Sequence, residues 1–146
     1  MNAAYGTGSA RLSAICARTL LALAALSTSA TAGDVKVMLS GDQEVPPVKT
    51  AASGGGTISV GADKSVSGSV TTTGVAGTMA HIHEGAPGTN GGVAIPLAKS
   101  GENAWSVPAG AKLSDAQYEE FKAGKLYVNV HSAAHPGGEI RGQLKP

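Results

Sequence analysis

A two-residue alternation of apolar and polar positions runs through most of the chain. Val35, Val37 and Leu39 alternate with Lys36 and Met38, the pattern of a strand with one buried face. Gly41-Asp-Gln-Glu-Val-Pro-Pro47 then interrupts it with two prolines, as a loop or sheet edge does. Gly54-Gly-Gly56 leads into a strand at Thr57–Val60. After a turn at Gly61–Lys64 that strand pairs as a hairpin with Ser65–Thr73, where Val66, Gly68 and Val70 share a face. Further strands are predicted over 78–83, 93–97, 104–107, 126–131 and 139–144, with a loop from Glu84 to Gly92. About eight short strands at this density predict an all-β, antiparallel Greek-key sandwich or barrel. One segment departs from the period. Ser114 to Gly124 reads as a short helix, with a Ser114/Gln117 capping box, a Leu113–Tyr118 staple and Gly124 as its stop. Tyr118 and Phe121 are expected to pin it over one end of the barrel.

The amino terminus follows another pattern. Arg11 and Arg18 precede and flank the apolar run Thr19–Leu26, and Ala30-Thr31-Ala32 supplies small residues ahead of Gly33. That is the layout of a secretory signal peptide over residues 1–32, leaving a domain at 33–146. The apolar run is well short of the ~20 residues that span a bilayer. Removing 32 of the 146 residues takes away Arg11, Arg18 and Cys16, so nine basic residues face ten acids and no thiol remains. The location is therefore read as periplasmic or secreted, in a disulfide-permissive compartment but without a disulfide.

Composition narrows the function. Charged residues are 14% of the chain with a formal charge of +1, which gives a nucleic-acid role no electrostatic support. Twenty-one glycines and 3% aromatics suit a turn-rich β domain and not a coiled coil. Neither nucleic acid nor, after removal of the leader, a membrane is expected as a partner; a homodimer and an unknown protein partner stay open.

All four histidines fall in two clusters, His81-Ile-His83 and His131-Ser-Ala-Ala-His135. Residues i and i+2 of a strand project from one face about 6.6–6.8 Å apart, near enough for two imidazoles to lean onto one ion at metal–nitrogen distances of ~2.0–2.1 Å. Parity turns His81 and His83 away from Ala80 and Ile82, and His131 away from Leu126, Val128 and Val130. Arg141 likewise opposes Ile140, Gly142 and Leu144. If these strands are neighbours, the histidines and Arg141 gather on the outside of the barrel, with loops 84–92 and 132–138 placed to cover Met79. His81, His83, His131 and His135 are thus the candidate metal ligands. An all-imidazole set suits copper, with zinc as the alternative, better than magnesium or calcium. Met79 is a candidate soft ligand, and Glu84 a candidate outer partner orienting an imidazole. Such a site is expected to release its metal on acidification through ~6.5. No nucleophile elbow and no phosphate loop is present.

Gly41–Pro47, Ala80-His-Ile-His-Glu-Gly85, Tyr127–Ser132 and His135–Leu144 together resemble the CHRD (chordin-type) domain over about Val35 to Pro146. The resemblance implies an exported or extracellular β-sandwich module. A weaker likeness is to Cu,Zn superoxide dismutase, whose HxHE copper ligands, later strand histidine and guiding arginine correspond to His81 and His83, His131 and Arg141. The long zinc loop and the disulfide of that family are missing. The fold is accordingly expected to be superoxide dismutase-like or immunoglobulin-like. The expected function is an exported copper-binding protein that sequesters, buffers or delivers the ion. The alternatives are a minimal dismutase-like enzyme in which Arg141 guides superoxide, and a structural module that binds no metal.

Overall fold

Val35, Val37 and Leu39 are buried while Lys36 and Met38 face outward, so the alternation read along the chain is the alternation of the first strand, β1 (Thr31–Ser40). The computed structural model describes residues 31–146, and the expected signal peptide at 1–32 lies outside the described residues save for the first two positions of β1. A 3-10 turn at Gly41–Gln43 follows. Then come β2 (Ser53–Gly61), β3 (Val66–Thr73), β4 (Gly77–Glu84), β5 (Val93–Pro96), β6 (Ala98–Gly101), β7 (Ala104–Ser106), the helix α1 (Asp115–Lys122), β8 (Leu126–Ser132) and β9 (Ile140–Leu144).

The nine strands form one sheet in the order β5-β4-β8-β9-β1-β2-β3-β7-β6, with antiparallel pairing throughout. Its two edge strands, β5 and β6, are separated in the chain by Leu97 alone. Edges that adjoin in sequence must adjoin in space, so the sheet curls into a nearly closed barrel. Leu97 spans the gap, its N–H donating to the Ala80 carbonyl at 2.9 Å. The inward faces supply one core, including Ile58, Val70, Ile82, Trp105, Val128, Val130, Ile140 and Leu144.

The predicted hairpin is present as β2 and β3, paired from Ser53↔Thr73 to Val60↔Val66. The glycine run expected to lead into it belongs to β2 itself. Its backbone lies so close to the next strand that a Cβ on Gly56 would stand 2.0 Å from the Ser69 carbonyl oxygen. The additional strand, β6, is exposed at every position and pairs only with β7 among the described strands.

The helix carries the predicted signals. The Ser114 hydroxyl accepts from the Gln117 N–H at 3.1 Å, and the Gln117 side chain accepts from the Ser114 N–H at 2.9 Å. Phe121 is buried in the core, which contributes on the order of 2–3 kcal/mol, and Tyr118 packs partly against it. Among the described residues no helix is long and apolar enough to cross a membrane.

Candidate metal centre

Strands β4, β8 and β9 are neighbours in the sheet, next to the edge strand β5, and there the outward parity acts as the sequence implied. Leu126, Val128 and Val130 of β8 enter the core. Tyr127, Asn129 and His131 alternate with them and face β4 residues His83, His81 and Met79 in register. This outer face is nevertheless not open to solvent. All seven residues of β8 are buried, because loops roof the face that the core does not. The expectation of histidines on an exposed barrel surface is corrected accordingly: His83 is 9% exposed and His131 7%, while His81 remains half-buried.

Three of the four candidate histidines converge. The ring centroids of His81 and His131 are 4.9 Å apart, those of His81 and His83 5.3 Å, and those of His83 and His131 5.8 Å. One nitrogen from each lies within 4.8 Å of the others. Nitrogens bound at ~2.1 Å to a single ion stand at most about 4.2 Å apart, so a small pivot of the rings closes the set.

The roof fixes which nitrogens are offered. His83 Nδ1 lies 3.2 Å from the Gly91 carbonyl oxygen, and His131 Nδ1 lies 3.0 Å from that of Pro136. A carbonyl only accepts, so both Nδ1 atoms carry the proton and both Nε2 atoms present lone pairs. His131 Nε2 is 3.0 Å from His81 Nδ1. His83 Nε2 is buried and has no hydrogen-bond partner. A buried polar atom left in this state costs about 1–3 kcal/mol. Carbonyls holding the far nitrogen of an imidazole are also the usual means of orienting a metal-ligating histidine.

The two loops are themselves held. A Cβ on Gly91 would stand 1.7 Å from the Glu84 carbonyl oxygen, so only glycine brings the loop this close to its own base. The Gly91 N–H donates to the Tyr127 hydroxyl at 3.2 Å, and the Asn90 amide donates to the Val45 carbonyl at 2.7 Å. Tyr127 stacks on His83, with centroids 5.0 Å apart and planes inclined by 7°. From the β9 side the Arg141 guanidinium carbon lies 3.4 Å from the Tyr127 ring centroid. Beside them the carboxylate of Glu44 accepts a hydrogen bond from Asn129, and both side chains are buried.

Four sequence expectations need correction. His135 does not join the cluster. Ser132 and His135 exchange backbone hydrogen bonds of 3.3 and 3.2 Å, so the chain turns there and His135 sits on the return, lining a groove with Pro46, Asn90 and Gly138. Arg141 is 1% exposed and donates to the carbonyls of Thr89 and Ala86 at 2.8 and 3.2 Å, and to Asn90 and Gln143. It clamps the loop and is not placed to guide an anion from solvent. Glu84 points to the helix and accepts from the Gln117 amide at 2.6 Å, and the backbone carbonyls take the orienting role instead. Met79 is 49% exposed, so the loops expected to cover it do not.

Burial is the main reason that all three clustered histidines titrate below the ordinary 6.5. For His81 and His83 the neighbouring positive partners, His131 foremost among them, push the same way. The three rings are therefore neutral at neutral pH. Below about 6.5 the unfolded chain binds more protons than the native one, so stability is complete above that value and is lost as the pH falls through the depressed native range. Glu44, raised chiefly by burial, works in the opposite sense above 4.5, one group against three. Urea titrations of the metal-free domain are expected to show stability falling as the pH drops below about 6.5, the unperturbed histidine value. A flat profile would contradict the burial of the three rings.

The donor set suits a borderline or soft ion. The three nitrogens are imidazole, and the nearby carboxylates are engaged elsewhere: Glu44 with Asn129, Glu84 with Gln117, and Glu139 with Thr50 and Ser132. Magnesium and calcium require oxygen ligands that this site does not present, whereas copper and zinc accept imidazole. Compared with known proteins, residues 35–144 match the CHRD domain family. No curated protein and no solved structure matches.

Proposed function

We propose, on the premise that this chain belongs to the CHRD domain family, that it is an exported module that binds a copper ion through His81, His83 and His131 and sequesters, buffers or delivers it. The family is of extracellular type, and the leader-like amino terminus supports a periplasmic or secreted location. The observation that carries the metal reading is the convergence of His81, His83 and His131, with His83 Nε2 buried and without a hydrogen-bond partner. A protein interior rarely tolerates such an atom, and an ion at that point gives it a partner. Copper ranks first for an imidazole set by intrinsic affinity, ahead of zinc. Because burial favours the neutral rings, the metal is retained to a lower pH than an exposed histidine cluster would allow.

Titration of the purified domain with Cu(II) is expected to saturate at a single ion and to raise the melting temperature. A ligand confined to the native state adds about 2.7 kcal/mol at a hundredfold excess over Kd. His135→Ala is expected to leave both results unchanged, since His135 stands outside the cluster. Absence of any thermal shift with Cu(II), with Cu(I) under reducing anaerobic conditions and with Zn(II) would overturn the reading.

A further inference from the structure

Along the outward face of β4 the order is Met79, His81, His83, spaced two residues apart. Met79 is the cross-strand partner of His131, the residue whose Nε2 meets His81 Nδ1. Directly opposed residues on antiparallel strands have Cβ atoms about 4.5–5.5 Å apart, within reach of a long unbranched side chain. Met79 thus adjoins two of the three imidazoles, one along its strand and one across.

Its exposure is otherwise unexplained. Met38, the other well-exposed methionine of the described residues, spreads over the bare backbone of Gly55, where its sulfur would lie 3.1 Å from an added Cβ. Met79 is 49% exposed and stands at the opposite end of the β4 row from His83, which the loop residue Gly91 caps. Other donors are accounted for. The Tyr127 hydroxyl faces the Gly91 N–H, the nearby carboxylates are bonded as described, and the single cysteine of the chain is Cys16 in the leader-like segment.

We propose that the Met79 thioether sulfur is the fourth donor of the centre and makes it selective for monovalent copper. The inference rests on the histidine site proposed above and specifies the ion it prefers. A thioether is neutral, soft and polarizable, so it favours Cu(I) and adds little for Zn(II). Three neutral imidazoles and a neutral sulfur also leave a bound ion with its own charge, which a monovalent cation carries at least cost in a half-buried site.

The test is competitive titration, under anaerobic conditions, of the wild-type domain, Met79→Leu and His81→Ala with Cu(I), Ag(I) and Zn(II). Met79→Leu is expected to weaken Cu(I) and Ag(I) binding at least about tenfold, the lower end of what even an outer partner is worth to a metal site, with little change for Zn(II). The Met79 methyl resonance is expected to shift on addition of Ag(I). Unchanged Cu(I) affinity in Met79→Leu, with binding lost in His81→Ala, would overturn the methionine while leaving the histidine site standing. Equal losses for all three ions would overturn the selectivity. Wild-type affinity in His81→Ala would remove the site itself and the proposal with it.

Discussion

Replacement of His83 by leucine is expected to weaken copper binding at least about a hundredfold, beyond the upper range for loss of an outer partner, while shifting the stability of the metal-free domain by less than about 1 kcal/mol. The two effects separate because of what each nitrogen does. Nε2 is buried without a partner, and its removal relieves a penalty of about 1–3 kcal/mol. Against this stand one hydrogen bond to the Gly91 carbonyl, about 1 kcal/mol, and part of the stacking on Tyr127. These contributions nearly cancel, and leucine fills similar space. Chemical denaturation of the metal-free variant and a copper competition assay give the two numbers. A loss of 2 kcal/mol or more with unchanged copper affinity would identify His83 as a structural residue and the convergence of the rings as incidental.

Much of this site follows from parity. Once β4 and β8 are strands with Ala80, Ile82, Val128 and Val130 inside, His81, His83 and His131 must leave the core on the other side. The helix was legible for a similarly local reason, since Ser114 and Gln117 bond within their own turn. Features that depend on distant backbone were not. The partners of His83 and His131 are carbonyls of Gly91 and Pro136, and a carbonyl leaves no trace in residue identity. The pairing of Glu44 with Asn129 joins residues 85 apart. Strand β6 escaped because all four of its residues are exposed, so no alternation marks it.

His135 shows how a spacing argument fails. Four residues after His131 would return to the same face of a continued strand, but the turn closed by Ser132 and His135 ends the strand first. The expected cover over Met79 and the expected role of Glu84 fail in opposite ways. An outward methionine suggested a cover, and the roof stops short of it; an acid beside His83 suggested a partner, and its odd parity sends it to Gln117 instead.

Arg141→Ala is expected to be the most destabilising single change in the domain, by about 3–5 kcal/mol, the range for breaking a buried charged network. The guanidinium is 1% exposed and donates to four acceptors, two of them backbone carbonyls of the loop between β4 and β5. It also lies against Tyr127 and near the buried carboxylate of Glu44. Alanine strands the Ala86 and Thr89 carbonyls, exposes one face of Tyr127 and leaves Glu44 without its positive neighbour. For a domain of this size the melting temperature is expected to fall by roughly 10–20 °C. Copper affinity is expected to drop about 10–100-fold as well, because the same loop carries the Gly91 carbonyl that orients His83. Arg141→Lys discriminates between charge and shape. An ammonium restores the charge beside Glu44 but has no planar fork with which to hold two carbonyls and a stacked ring at once. Recovery of less than half the lost stability in the lysine variant is therefore expected. Full recovery would mean that charge alone matters, and a loss under about 1 kcal/mol in the alanine variant, the scale of an ordinary surface change, would mean that the loop is held without Arg141.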